Sequence, residues 1–256
     1  MGCPVKISAV IITFNEERNI ERCIRSLEGI ADEIVVLDSF STDNTKNICG
    51  QLGVKFLQHP FDGHIEQKNR AVTHASSPYI LSLDADEALS DKLKTSILYV
   101  KENWEYDGYI FNRMTNYCGK WIKHCGWYPD RKLRLWDSRK GKWTGENPHD
   151  RYELNQACSI QQLKGDLLHY SYYSISQHIR QVDSFTDIAA KAWFERGKRA
   201  GIMSILYKPF WKFLRDYYFR LGILDGYYGF VICMISSHAT FLKYAKIREL
   251  QKTKRS

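Results

Sequence analysis

The chain has 256 residues and a net charge of +8, and 44% of its residues are hydrophobic while 26% are charged. Its length favours one main domain with a smaller appendage, and its composition excludes a disordered, collagen-like or low-complexity protein. Seven cysteines without a CxxC pair also argue against a disulfide framework and against a zinc site of standard spacing.

Strand and helix patterns alternate through the first hundred residues. Apolar, β-branched runs predict strands that are buried on both faces, and apolar residues at helical spacing predict the helices between them. The predicted strands span 7–13, 34–37, 54–57 and 79–83, and the predicted helices span 20–27, 65–75 and 90–103. A further helix carries Ile48 and Leu52, with Ser41 or Thr42 as its N-cap. This order predicts right-handed βαβ units and a parallel sheet with its ligand crevice at the carboxyl ends of the strands.

The pattern changes beyond residue 103. Aromatic, turn-rich segments predict further strands at 109–113, 133–136 and 159–170, which would make the sheet a mixed one. From Ser174 onward the apolar residues follow helical spacing. We therefore predict an α/β domain over residues 1–173 and a helical extension over residues 174–256.

Polar residues stand where the predicted strands end, namely Asn15, Asp38, Asp84 and Asp86. In an extended segment alternate residues point to the same side, so Asp84 and Asp86 would aim two carboxylates into one crevice. Carboxylate oxygens suit Mg²⁺ or Mn²⁺, which would complete its shell with water and the diphosphate of a nucleotide. A solvated acidic turn is the alternative interpretation. The position after the fourth strand favours the divalent cation.

Asp38 ends the second predicted strand, where a carboxylate can accept hydrogen bonds from a ribose or a base edge. No GxGxxG loop follows the first strand. The phosphates of a nucleotide would then be held by the cation and by basic side chains. This argues against a dinucleotide-dependent dehydrogenase.

Four segments in chain order carry a resemblance: SAVIITFNEERNIERCIRSL, EIVVLDSFSTDNT, QKNRAV and YILSLDADE. They are similar to the family 2 glycosyltransferases. Together with GENPHD, LLHYSY and KPFWKFLRDYYFRLGILDGYYGF, they most resemble the bacterial lipopolysaccharide-core β-glucosyltransferase group, over nearly the whole chain. The resemblance implies an α/β fold of the GT-A (Rossmann-like) type, a nucleotide-sugar-binding domain with a mixed central sheet and a C-terminal helical, membrane-associating extension.

The resemblance also implies which residues bind the nucleotide sugar. Four of them would line the nucleoside pocket, two would make polar contacts near the donor, and one would face the ribose or the cation. In chain order they are Thr13, Asn15, Glu16, Asp38, Gln67, Lys68 and Asp84. Asn15 and Glu16 also suit capping of the helix that follows them, and the two roles are compatible.

The metal ligands implied by the resemblance are Asp86, with Asp84 as its companion, and His169. The last corresponds to a histidine that completes the metal site in many GT-A enzymes. A lone histidine in an aromatic strand is otherwise a hydrogen-bonded structural residue, and His149 is a second candidate for the same place. The expected cofactor is a divalent cation, Mg²⁺ or Mn²⁺.

An inverting transfer needs a base that takes the proton from the acceptor hydroxyl. The loop WTGENPHD offers two carboxylates, Asp150 and Glu146. In the resembled family a His-Glu pair occupies this place, and here the acid after His149 is one methylene shorter. We favour Asp150 as the catalytic base and keep Glu146 as its rival. Nearby aromatic residues serve either as a sugar-stacking surface or as core, namely Trp121, Trp127, Tyr128 and Trp136.

The C-terminal part is basic. Through residue 100 there are 10 Lys and Arg against 14 Asp and Glu, and beyond it 27 against 15. Residues 221–242 are apolar apart from Asp225 and a few polar groups, and basic residues flank them on both sides. This symmetry favours a segment that lies along or returns to an anionic membrane surface over one that spans it, with packing in the domain or in a homodimer as the alternative.

These observations predict a metal-assisted, inverting glycosyltransferase. Its donor would be a nucleotide sugar, UDP-glucose by resemblance, and its acceptor a lipid-linked or lipid-anchored glycan such as the lipopolysaccharide core. No groove-reading motif supports a nucleic-acid partner. The chain start lacks a signal-peptide pattern, so we expect a cytoplasmic protein, peripheral on the inner face of the cytoplasmic membrane. The alternatives are a sugar nucleotidyltransferase, which would need a glycine- and basic-rich loop absent from TFNEERN, and a non-catalytic glycan- or membrane-binding relative.

Overall fold

The chain forms two compact units in the computed structural model, which describes residues 4–146, 149–155 and 157–253 except the side chains of Glu146 and His149. The first unit comprises Met1–Arg113 and Asp130–Tyr170, and the second comprises Met114–Pro129 and Ser171–Ser256. The division between residues 173 and 174 follows the change from strand to helix patterns along the chain. This predicted division stays a prediction. Compact packing divides the chain differently, because it groups residues 114–129 with the C-terminal segment.

The first unit is built on four parallel strands in the order β3-β2-β1-β4. They are β1 (Ile7–Thr13), β2 (Glu33–Asp38), β3 (Lys55–Gln58) and β4 (Tyr79–Asp84). The helices are α1 (Ile20–Ser26), α2 (Thr45–Gln51), α3 (His64–Thr73) and α4 (Asp91–Glu102). The predicted alternation of strands and helices is confirmed, as is the parallel sheet.

Helices cover both faces of these strands. Ile11 of β1 belongs to the buried cluster that includes Ile24 of α1, whereas its neighbour Val10 belongs to the cluster that includes Ala71 of α3. Successive residues of a strand point to opposite faces, so an unbroken apolar run is what such a strand requires.

The predicted N-cap of α2 is wrong. The helix begins at Thr45 after Asn44, which makes no side-chain capping bond. Ser41 instead donates to Asp38 within the same loop, and Thr42 donates to Asn15 of the β1–α1 loop, which joins the two loops at the sheet edge. Short polar side chains fit a cap and a loop bridge equally well, and local spacing does not separate the two.

The sheet continues with antiparallel strands, in the order β4-β8-β6-β11-β5, so the predicted mixed sheet is confirmed. The added strands are β5 (Glu87–Leu89), β6 (Gly108–Tyr117), β7 (Lys120–Trp121), β8 (Asp130–Asp137) and β11 (Ile160–Tyr172). A separate antiparallel hairpin consists of β9 (Gly141–Glu146) and β10 (His149–Leu154).

The second unit contains three long helices, α5 (Ile175–Glu195), α6 (Ile202–Leu214) and α7 (Gly226–Thr253). Asp225 precedes α7, is 3% exposed, and accepts hydrogen bonds from the main-chain N–H groups of Lys123 and His124 at 3.3 and 2.8 Å. The charge inside the apolar segment therefore has a structural role. In the part of the chain that the structure describes, no single helix is long and apolar enough to cross a membrane. The segments Ile202–Phe219 and Gly222–Thr253 reach that length and apolarity only as a pair, and they meet at a bend of 72°.

Candidate active site

Three parallel strands end side by side at one edge of the sheet. Thr13 of β1 lies opposite Asp38 of β2, and Ile12 of β1 lies opposite Asp84 of β4. Neighbouring parallel strands bring their carboxyl ends to the same edge, where α/β proteins bind ligands. The strand-end polar residues picked out from the sequence meet there.

The Asp38 carboxylate holds its own loop. It is 0% exposed and accepts hydrogen bonds from the Ser41 main-chain N–H and the Gln58 amide, both at 2.9 Å, and from the Ser41 hydroxyl. These contacts fix the β2–α2 loop at the edge of the crevice. A direct contact between Asp38 and a nucleoside stays a prediction.

Asn15 and Glu16 connect the β1–α1 loop to the β2–α2 loop. Asn15 Oδ1 accepts from the Thr42 N–H at 2.8 Å, and the Asn15 N–H donates to Ser41 Oγ at 2.8 Å. The Glu16 N–H donates to Thr45 Oγ1 at 2.9 Å. Asn15 has a φ of +53°, a left-handed conformation that asparagine tolerates better than most residues.

Two buried polar atoms near these loops have no hydrogen-bond partner among the described residues: Thr13 Oγ1 and Gln67 Oε1. The Gln67 amide nitrogen is held by Ser39 Oγ at 2.9 Å and the His59 carbonyl at 3.2 Å, which orients the side chain. An unpaired buried oxygen is costly, and a bound ligand can relieve that cost. Both residues are predicted donor contacts.

Lys68 joins two acidic side chains from different elements. Its Nζ lies 2.9 Å from Asp84 Oδ1 and 2.7 Å from Asp150 Oδ2, and it lies 4.5 Å from the centre of the Trp143 ring. Lys68 is 5% exposed. The structure thus brings Asp150, the predicted base on β10, into contact with Lys68 of α3, which is predicted to contact the nucleotide sugar. Lys68 in turn connects Asp150 to Asp84 at the end of β4.

Arg134 and Glu87 hold the other side of Asp84. Arg134 Nη2 donates to Asp84 Oδ2 at 2.8 Å and to Glu87 Oε1 at 2.7 Å, and the Asp84 N–H donates to Glu87 Oε2 at 3.0 Å. Burial by itself raises the pKa of Asp84, but the charges of Lys68 and Arg134 outweigh it and hold that pKa well below its usual range. Asp84 is a fixed anion between two cations.

The predicted extended geometry of Asp84-Ala85-Asp86 is wrong. Ala85 and Asp86 form a turn between β4 and β5. The two carboxylates consequently have different partners: Asp84 contacts Lys68 and Arg134, while Asp86 Oδ2 lies 3.1 Å from His169 Nε2. The chain turns directly after Asp84 and then enters the short strand β5, which pairs with β11.

Asp150 lies on the β9–β10 hairpin opposite Gly145. Its rival Glu146 and the alternative metal ligand His149 pair with each other in the same hairpin through their backbones, and their side chains lie outside the described part of the structure. The assignments of all three residues stay predictions.

Comparison with known proteins decides the family. The model of the family described as glycosyl transferase family 2 matches residues 8–160, which include all of β1 but its first residue, β2 to β4, the Asp84–Asp86 turn and the β9–β10 hairpin. The chain belongs to glycosyl transferase family 2. The predicted family resemblance and the predicted enzyme class are confirmed.

Relatives of this glycosyltransferase match it over almost its full length. A protein of Rickettsia bellii described as an uncharacterized glycosyltransferase is 34% identical over 96% of this chain and 87% of the relative. The lipopolysaccharide core biosynthesis glycosyltransferase LpsC of Rhizobium meliloti is 30% identical over 94% of this chain and 91% of the relative. Among solved structures, the UDP complex of S. aureus TarS residues 1–349 is 15% identical and covers 98% of this chain and 92% of the TarS chain. Its TM-score of 0.47 is too low for the bound UDP to say anything about the ligands of this chain.

Few described side chains of this glycosyltransferase are placed to bind a divalent cation. Asp86 and His169 offer one oxygen and one nitrogen 3.1 Å apart, and the described residues contain no cluster of three or more acidic, histidine or cysteine ligands. Asp84 would have to exchange a cationic partner for a metal. A two-residue set fits a cation that takes its remaining ligands from water and a substrate diphosphate, as Mg²⁺ commonly does.

Sequence reasoning missed Glu87 and Arg134, and it did not assign Trp143 a role. An arginine inside the apolar end of a strand, as in LRLW of β8, is a local sign of a buried ion pair. Trp136, considered for sugar stacking, is fully buried core and lies stacked against Tyr152 at 3.9 Å. Trp121, Trp127 and Tyr128 belong to the second unit.

Glu16 predicts a measurable pH dependence of stability. Burial, followed by the nearby charges of Asp86 and Asp43, raises the pKa of Glu16 to about 7 against a hydrogen bond from Asn19 that lowers it. Between about pH 4.5 and 7 the folded protein holds a proton that the unfolded chain has lost, so the contribution of this group to stability falls as the pH rises through that window. Denaturant unfolding at pH 5 and pH 8 measures the free energy of unfolding at each pH. That free energy should fall less between the two pH values for Glu16→Gln than for the wild type. Equal losses in the two proteins would contradict the elevated pKa.

Proposed function

We propose that this glycosyltransferase moves a hexose, glucose from UDP-glucose, onto a lipopolysaccharide-core or other cell-envelope glycan with inversion at the anomeric carbon. The observation that carries the proposal is the Lys68 ammonium group that holds Asp84 and Asp150 at 2.9 and 2.7 Å. One carboxylate ends a strand of the nucleotide-binding edge, and the other lies on a hairpin across from it. The similarity to LpsC supports the acceptor class.

Asp150 serves as the general base in this mechanism. Its carboxylate takes the proton of the acceptor hydroxyl as that oxygen bonds to the anomeric carbon, while the bond from that carbon to the diphosphate breaks on the opposite face. Lys68 keeps Asp150 in position, because the same ammonium group is anchored to Asp84. A divalent cation held by Asp86 and His169 would, when bound, neutralise charge on the diphosphate leaving group.

A donor panel tests this function. Purified protein is incubated with UDP-glucose, UDP-galactose, UDP-glucuronate and GDP-mannose, with Mn²⁺ or with excess chelator, and release of the nucleoside diphosphate is followed. We expect slow hydrolysis of UDP-glucose that requires the cation. Absence of binding and hydrolysis for every donor would refute the proposal, and pyrophosphate release from UTP with glucose 1-phosphate would identify a nucleotidyltransferase instead.

The second unit supports a membrane-surface location. Six large apolar side chains of α6 are between 44% and 73% exposed and follow helical spacing, namely Ile202, Met203, Leu206, Tyr207, Phe210 and Trp211. Contiguous exposed apolar surface of this kind marks an interaction site. Three cations, Lys212, Arg215 and Arg220, share the carboxylate of Asp216, which leaves excess positive charge beside the apolar face. We propose an anionic bilayer, at the inner face of the cytoplasmic membrane, as the partner.

Substitution on the exposed face of α6 tests this location. Leu206→Glu with Phe210→Glu should lower co-sedimentation with phosphatidylglycerol-containing liposomes by about 10-fold or more, since both the lost apolar burial and the added negative charge oppose binding. Leu98→Glu with Tyr99→Glu is the matched control, because both residues are exposed on α4 of the first unit. Salt should weaken wild-type binding only in part. Equal sedimentation of the two double variants would reject the proposed membrane-surface location. A change in the oligomeric state of the α6 variant would instead indicate that this face forms a homodimer.

A further inference from the structure

A cavity of about 440 Å³ opens beside the predicted base, and its lining is strongly basic. Two acidic residues line it, Asp84 and Asp150, and both contact Lys68. The cationic lining residues are Lys68, Arg113, Arg131, Lys132, Arg134 and Arg151. The remaining lining residues are Leu133, Trp143 and Tyr152, so most polar groups of the described wall are charged, and cations outnumber carboxylates.

Carboxylates outside the lining hold several of these cations in place. Glu87, whose side chain is fully buried, and Asp130 contact Arg113 at 3.4 and 2.7 Å, and Glu87 also contacts Arg134. Neither acid lines the cavity. A guanidinium group has five N–H donors, so a contact on one side leaves donors for a second anion.

Two cavity cations have donors to spare. Arg134 is 3% exposed, and its buried Nε has no hydrogen-bond partner among the described residues. Arg131 is exposed at the rim and makes no ion pair with a described carboxylate. Arg151, also exposed, is paired to Glu153, which does not line the cavity. Such a wall favours a carboxylate or phosphate, which guanidinium groups bind in bidentate geometry.

The cavity adjoins the predicted donor site, because two predicted donor contacts, Lys68 and Asp84, line it. Asp86 and His169, the residues that suit the cation of the leaving group, do not line the cavity, whereas Asp150 does. The excess positive charge therefore lies next to the residue that would receive the acceptor proton.

We infer that the acceptor is an anionic glycan, with a phosphate or carboxylate close to the attacking hydroxyl that is bound by Arg131, Arg134 and Arg151. This inference rests on the proposed glycosyl transfer. It narrows the acceptor from cell-envelope glycans in general to those that carry acidic groups near the accepting sugar. Arg131 and Arg151 at the rim would select the charged acceptor, and Arg134 would orient it.

Binding of defined probes in the presence of UDP and Mn²⁺ tests the inference. Glucose 6-phosphate and galacturonate should bind more tightly than glucose and galactose, and added salt should weaken the binding of the charged pair. The double variant Arg131→Gln with Arg151→Gln should bind the charged probes about 10- to 100-fold more weakly, as expected for loss of charge-assisted hydrogen bonds. Its rate of UDP-glucose hydrolysis should be unchanged. Arg25→Gln is the control, since Arg25 is an exposed ion-paired arginine on α1 away from the cavity.

Two further arms separate the possible outcomes. Preference for UDP-glucuronate over UDP-glucose that is lost in the double variant would place the anion on the donor sugar and overturn the inference. Equal binding of charged and neutral probes, with UDP-glucose hydrolysis intact, would also overturn it while leaving the glycosyltransferase function in place. Failure of every nucleotide sugar to bind would instead reject the underlying function.

Discussion

Replacement of Asp150 by Asn is expected to lower turnover by about 10² to 10⁴, the usual loss when a general base is removed. Donor affinity should stay nearly unchanged, because Lys68 keeps its 2.9 Å contact with Asp84 when Asp150 loses its charge. Initial rates of transfer to core lipopolysaccharide, together with UDP binding by calorimetry, separate the two effects.

Two variants frame the interpretation of that loss. Asp91→Asn makes the same substitution at a fully exposed carboxylate of α4 and should retain wild-type turnover. Glu146→Gln should be the milder of the two hairpin changes. A larger loss for Glu146→Gln than for Asp150→Asn would move the base to Glu146.

Asp86→Ala is expected to reduce transfer by about 100-fold or more, because a cation at a leaving diphosphate supplies several kcal/mol of transition-state stabilisation. The fold should persist, since Asp86 lies in a turn and the hydrogen bond from the Tyr170 N–H to its carbonyl does not involve the side chain. Mn²⁺ binding in the presence of UDP, followed by electron paramagnetic resonance, should be weakened in the same variant.

Asp91→Ala should leave both activity and Mn²⁺ binding unchanged. Chelation of the wild type should reproduce the effect of Asp86→Ala on transfer. Wild-type rates for Asp86→Ala in excess chelator would show that neither the residue nor a cation is needed.

The strands and helices of the first unit were predictable because their patterns are local. The run 7–13 is β1 without change, and residues 79–83 fall within β4. Unbroken β-branched runs need only their own sequence to identify a strand covered on both faces. The strand-end positions of Asp38 and Asp84 followed from the same runs.

The contacts that assemble the site were not predictable, because they join residues far apart in sequence. Lys68 meets Asp150 across 82 positions, and Arg134 meets Asp84 across 50. A single sequence contains no local signal for such pairs. The hairpin β9–β10 was missed for a different reason, since GKWTGE lacks the apolar alternation that marks a strand.

The turn after Asp84 shows how a motif can be identified while its geometry is misjudged. An acidic pair separated by one residue suggests two carboxylates side by side. The pairing of β5 with β11 instead separates their partners, with Asp84 between two cations and Asp86 next to His169. A three-residue strand is too short to be seen in a sequence pattern.

The anomeric configuration of the transferred sugar tests the central proposal most directly. UDP-glucose labelled with ¹³C at the anomeric carbon is supplied to the enzyme with extracted core lipopolysaccharide, and the product linkage is determined by NMR. The donor bond is α, so an inverting transfer by Asp150 predicts a β-linked glucose that is formed by the wild type and nearly absent with Asp150→Asn. An α-linked product, or equal amounts of β-linked product from both proteins, would contradict the account.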